Sequence, residues 1–217
     1  MSILPVILAA TALAAAPRRI PGERTAAPLP PVATWEELCA RPTAWLGKPV
    51  RLHVQTSSRV ESWNPYLTRF SSSRYVAVQA WADEQFPWVR ADFEAPSVRL
   101  FVRRGSACEW AFDGTDASTR CEVSGVVREL FLDLPWIEVV EVLPLAERIG
   151  EGTVIHAAKA RELLEAGSFG LAALELDQAI TDSLPARARA ELDRMRAYCR
   201  EAVQAERGSR GSDPVRR

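Results

Sequence analysis

Five stretches of the chain alternate apolar and polar residues with a period of two. In "KPVRLHVQT", Val50, Leu52 and Val54 alternate with Arg51 and His53, the pattern of a half-buried strand. "RYVAVQAWA" sets Val76, Val78 and Ala80 against Tyr75, Gln79 and Trp81. "SVRLFVRR" puts Val98, Leu100 and Val102 on one face and Arg99, Phe101 and Arg103 on the other. "RCEVSGVVREL" lines up Cys121, Val123, Gly125 and Val127, and "WIEVVEVLPL" is more continuous and so more buried. Gly125 inside a strand marks a bulge or a tight bend, as a small closed sheet needs. Five such strands predict a small barrel or sandwich.

Outside this region the period changes. "TWEEL" places Thr34 three residues before Glu37, a capping box that opens a short helix ended by Pro42. After Pro144 the chain is rich in Ala, Leu, Glu and Arg and has no strand pattern. Gly167–Ser168 and Pro185 break it, which predicts helices over 153–166, 169–182 and 186–205. Their expected buried faces hold Leu163, Leu164, Leu171, Leu174, Ala179, Leu192, Met195 and Tyr198.

The ends read differently again. "ILPVILAATALAAA" is an uncharged apolar run, and Ala14 and Ala16 fit small-x-small cleavage, so residues 1–16 read as a signal peptide. The run is shorter than the roughly 18–20 residues that span a bilayer. An uncleaved anchor or an ordinary apolar start is the alternative. The mature chain then begins near Ala16 or Pro17, has no integral membrane span, and is periplasmic or secreted. Residues 17–33, rich in proline and alanine, read as a disordered tether, and 207–217 as a disordered tail. Between them lie a β domain over 34–148 and a helical segment over 149–206.

Composition narrows the chemistry. The formal net charge of -1 over 217 residues exerts no global pull toward nucleic acid. Lys48 and Lys159 are the only lysines. Four cysteines in an exported chain allow three pairings: Cys108–Cys121 is the first choice and Cys39–Cys199 the second, with four free thiols as the alternative. None has the C-x-x-C spacing of a redox or zinc site. His53 and His156 lack companions at metal-ligand spacing, so no metal and no cofactor is expected. Asp113 and Asp116 in "FDGTD" read as turn formers. "RGSRG" is not a nucleophile elbow, and no catalytic set emerges.

One loop stands out. "RVESWNPYLTRFSSSRY" joins the first two strands and mixes rings with cations. Trp63, Tyr66 and Phe70 could stack on bases or sugars while Arg59, Arg69 and Arg74 meet phosphates. Alternatively, Trp63 and Tyr66 pack over the barrel and the arginines only solubilise the loop. The candidate ligand set is Arg59, Trp63, Tyr66, Arg69 and Arg74.

"WLGKPVRLHVQ", and "CEVSGVVREL" followed by "WIEVVEV", resemble the first and last strands of OB-fold domains of the anticodon-binding type, over residues 45–143. That resemblance implies a helix in "ACEWAFDG" between the third and fourth strands. It also implies ligand contacts from the loop after the first strand and from the exposed sheet face. "AGSFGLAALELDQAITDSLP" resembles a tetratricopeptide repeat, with Gly167, Phe169, Ala172, Leu176 and Ala179 at its spacings and Pro185 one residue late. A single repeat packs on its own domain rather than forming a superhelix. The expected class is α+β: a small five-stranded OB-like antiparallel β-barrel with a C-terminal helical hairpin plus one further helix. The expected function is an exported, non-catalytic binding or scaffolding protein whose partner is another envelope protein. The alternatives are an oligonucleotide- or oligosaccharide-binding module and an enzyme with an unrecognised site.

Overall fold

The computed structural model describes residues 30–64, 66–113 and 118–211. The signal peptide, most of the tether, Asp116 and the end of the tail lie outside them. In chain order the elements are α1 (Trp35–Ala40), α2 (Pro42–Trp45), β1 (Pro49–Val60), β2 (Tyr75–Ala82), α3 (Arg90–Glu94), β3 (Val98–Arg103), α4 (Ala107–Asp113), β4 (Arg120–Phe131) and β5 (Leu134–Pro144). Three helices follow: α5 (Glu151–Glu165), α6 (Phe169–Ala179) and α7 (Ala186–Gly211). The class is α+β.

The strands close into a barrel in the order β1-β2-β3-β5-β4. β1 pairs with both β2 and β4, and every contact is antiparallel except one. β3 and β5 run parallel through Arg99↔Trp136, Leu100↔Ile137 and Phe101↔Glu138. The expected purely antiparallel barrel is therefore corrected to a mixed one. Parity requires it, because directions cannot alternate all the way round a closed ring of five strands.

The period-two faces of β1 to β4 point as their pattern dictates, but β5 is not buried along its length as expected: past Val139 it is mostly exposed, with Val140 65% and Leu143 47% exposed. Val50, Leu52, Val54, Val78, Val98, Leu100, Val102, Cys121, Val123, Val127 and Ile137 fill the barrel. Trp35 and Leu38 of α1 join that core. The capping box of α1 is formed: Glu37 N–H donates to Thr34 Oγ1 at 3.1 Å and Thr34 N–H to Glu37 Oε2 at 2.9 Å. Val32 bridges to Arg51 beside β1. The register of β4 against β5 slips at Ser124/Gly125. A Cβ on Gly125 would lie 2.5 Å from the Glu138 carbonyl oxygen and 2.6 Å from Ile137 Cγ2, so the neighbouring strand occupies the space a side chain needs.

A second core holds the helices. Ala157, Ala160, Ala172, Leu176, Ala179, Leu184, Ala188, Leu192 and Cys199 pack together with Trp88, and Phe86 lies against them. The segment "QFPW" after β2 thus anchors the helices to the barrel. Gly167, at φ 72°, makes the turn between α5 and α6. Leu163, Leu164 and Met195 pack as expected. Leu171, Leu174 and Tyr198 do not: they are exposed. Glu175, Asp177 and Gln178 share the side of α6 that carries Leu171 and Leu174, so the stripe free of polar residues is Ala172, Leu176 and Ala179, whose alanines let the helices approach closely.

All four cysteines are free thiols, and neither expected pairing is formed. Cys121 lies inside the barrel, where burial pushes its thiol up to about 11. Cys108 instead donates its S–H to the Val140 carbonyl at 3.2 Å. Cys39 packs against the barrel core and Cys199 sits in the helical core, which keeps them apart.

Candidate functional site

The loop after β1 folds back over the outer face of β2, β3 and β5. Phe70 stacks on Phe101 with centroids 4.0 Å apart and planes 5° from parallel. Trp63 meets Phe101 edge-on at 5.4 Å and donates its indole N–H to the Phe70 carbonyl at 2.8 Å. Tyr75, Trp136 and Phe131 complete the cluster. Phe101 and Tyr75 occupy the polar phase of their strands, yet this loop buries both.

The loop's arginines are drawn to acids. Arg59 pairs with Glu61 at 2.5 Å, Glu109 at 2.9 Å and Asp113, tying β1 to α4. Arg69 Nε meets Glu129 at 2.7 Å, and Thr68 donates to the other oxygen at 2.5 Å. Of the five candidate residues, Trp63 packs inward and Arg59 and Arg69 are paired. Tyr66, 94% exposed, and Arg74 face solvent.

A polar chain escaped the sequence reading. It crosses the outer face of β1 and β4. Arg120, 5% exposed, donates to both Asp83 oxygens at 2.9 and 2.6 Å and to Glu147 at 3.3 Å. It also lies 3.2 Å from His53 Nδ1, while His53 Nε2 lies 3.2 Å from Glu122 Oε2. Because a guanidinium only donates, Nδ1 accepts and Nε2–H donates to Glu122. Arg51 holds the remaining Glu122 oxygen at 2.7 Å. Burial pushes the Glu122 carboxyl up, but the hydrogen bonds from Arg51 and His53 outweigh it and leave it below its usual range. Only strand register could have revealed this: His53 pairs directly with Glu122, 69 residues away.

His53 and Asp83 also line a cleft of about 170 Å³ with Thr34, Trp35, Glu84 and Arg187. Burial raises the Glu84 carboxyl against the opposing Arg187, 3.4 Å away. Next to the chain, Gln55 exchanges two hydrogen bonds with the Ile149 backbone, at 3.0 and 2.9 Å. These contacts stitch the barrel to the start of the helical segment. A larger cleft of about 420 Å³ opens at the start of α5, lined by Phe93, Ser118, Arg148 and Glu151 among others. Among the described residues no cluster of His, Cys, Asp and Glu is arranged to hold a metal ion. No helix among them is long and apolar enough to cross a membrane.

No family model matches the chain, and no curated protein or solved structure shows significant similarity to it.

Proposed function

We propose that this chain is an exported, non-catalytic binding or scaffolding protein of the cell envelope, built as an OB-like barrel buttressed by a tetratricopeptide-like hairpin. The OB-like reading draws support from the strand order, from β1 pairing with both β2 and β4, and from α4 lying between β3 and β4. The repeat-like reading draws support from Gly167 at the turn and from the buried Ala172, Leu176 and Ala179. Export rests on the apolar run before Ala16.

The observation that carries the binding role is the outer face of α6. Leu171 and Leu174, one turn apart, are 57% and 60% exposed on a helix whose other face is locked in the core. The main cluster of acid–base groups, by contrast, is engaged in holding β1, β4, the turn after β2 and the connector before α5 together. The test is affinity capture from an envelope fraction with the full chain and with the Leu171→Glu/Leu174→Glu variant. Both side chains are exposed, so the variant should melt like the wild type. A partner held by the wild type and lost by the variant supports the role; equal retention, or no capture at all, overturns it. Cytosolic accumulation with residues 1–16 intact would overturn export.

Oligonucleotide or oligosaccharide binding by Arg59, Trp63, Tyr66, Arg69 and Arg74 is the second reading, favoured by the exposure of Tyr66 and Arg74. It requires that Trp63→Ala abolish ligand binding without loss of stability.

A further inference from the structure

A row of outward-facing residues crosses the barrel between two covered areas. Ser58 on β1 pairs with Gln79 on β2, Gln79 with Arg99 on β3, and Arg99 with Trp136 on β5. On one side, Phe70 and Trp63 close over Phe101. On the other, Phe93 stacks on Trp81 at 5.7 Å and Ile149 covers Gln55. Ser58 is exposed in the strip between, and Gln79 and Arg99 are half-buried.

Arg99 is anomalous there. Arg51, Arg104 and Arg120, the other barrel arginines withdrawn from solvent, each hold a carboxylate. Among the described residues none is set against Arg99, and burial alone pushes its guanidinium below its usual range. A charge taken from water without a partner destabilises a fold. Next to it, Gln79 accepts the Ser58 hydroxyl through Oε1 at 3.0 Å, which turns its amide N–H₂ to other uses.

We propose that Arg99 and Gln79 form a subsite for one oxyanion group of a ligand, a carboxylate or a phosphate. The guanidinium edge donates two parallel N–H bonds and the Gln79 amide a third. This deepens the reading of the chain as a binding protein and rests on it.

Thermal unfolding of the full chain, at constant ionic strength set with chloride, tests the subsite with inorganic phosphate and with acetate as separate probes. The wild type, Arg99→Met, Arg99→Lys and the exposed-site control Arg148→Met are compared, with Gln79 side-chain amide shifts followed by NMR. In the wild type one or both anions should raise the Tm saturably and shift the Gln79 amide. Arg99→Met should melt higher than the wild type in chloride and bind the anion about tenfold more weakly or worse. Arg148→Met should respond like the wild type. A response to phosphate alone assigns a phosphate group, to acetate alone a carboxylate, and to both an oxyanion of either kind. An equal response in wild type and Arg99→Met, or no saturable response, overturns the subsite. If Arg99→Met does not fold, Arg99→Lys decides: it keeps the charge but loses the fork, and an undiminished response refutes the geometry. No saturable anion response in the wild type, with partner capture intact, removes this subsite and leaves the binding role standing.

Discussion

Trp63 answers for the character of the loop after β1. Its ring edge on Phe101 and its N–H on the Phe70 carbonyl are packing contacts that hold the loop down. Trp63→Ala should therefore cost about 2 kcal/mol, and Trp63→Phe, which loses mainly the hydrogen bond, about 1 kcal/mol. Denaturant melts of both variants check this, and an unchanged midpoint for the alanine variant would contradict it. Glu138 is the matching case among charged residues. Burial pushes its carboxyl up, but Arg128 at 2.8 Å and Tyr75 at 2.9 Å bring it net below the usual range. A carboxyl depressed in the folded state stabilises the fold above the ordinary carboxylate pKa. That contribution vanishes as pH falls through the depressed value. Glu138→Gln should lower stability at neutral pH and flatten the loss of stability in acid; parallel pH curves for the two proteins would refute the role of Glu138.

Among the elements, the β4–β5 hairpin shows where local chemistry and conformation disagree. Leu132 and Asp133 form its two-residue turn with φ of 50° and 62°. That is a type I′ pattern, which favours Asn-Gly, and a leucine in the left-handed region is strained. Leu132 is also 82% exposed, so its side chain gains little from packing. Leu132→Asn/Asp133→Gly should stabilise the protein by about 1 kcal/mol, read as a rise in Tm with the same fold. A fall would show that the leucine does work outside the turn. Elsewhere the elements were legible: the phases of β1 to β4, the capping box, Gly125 and the break at Gly167 each appear where the pattern placed them. In α6 the leucines misled: the buried stripe is Ala172, Leu176 and Ala179, the face free of Glu175, Asp177 and Gln178. The expected Cys108–Cys121 bridge failed because closeness in sequence was weighed over strand phase, which already turns Cys121 into the barrel while Cys108 bonds the Val140 carbonyl.

At the scale of the molecule, barrel and helices are joined by a seam of buried apolar and ionic contacts. Phe86 and Trp88 enter the helical core, Gln55 clasps Ile149, and Arg120 draws in Asp83, Glu147 and His53. Arg120→Ala leaves Asp83 partly buried beside a vacated site. It should destabilise the protein by about 3 kcal/mol. Hydrogen exchange should show α5–α7 amides opening before those of the barrel, whereas the wild type opens as one unit. Uniform acceleration across both layers would argue that the seam does not divide them.

The amino-acid sequence by itself determined where the five strands lie, which face of β1 to β4 is apolar, and where the C-terminal helices break, though not the short helices α2 and α3. Those are consequences of period, capping and backbone permissiveness, all set within a few residues. Tertiary structure alone decided that the loop after β1 seals the sheet and that His53 meets Glu122. Among the described residues it also set no carboxylate against Arg99. Each of these depends on which distant residue a register or a chain crossing brings alongside, and no local pattern encodes that neighbour.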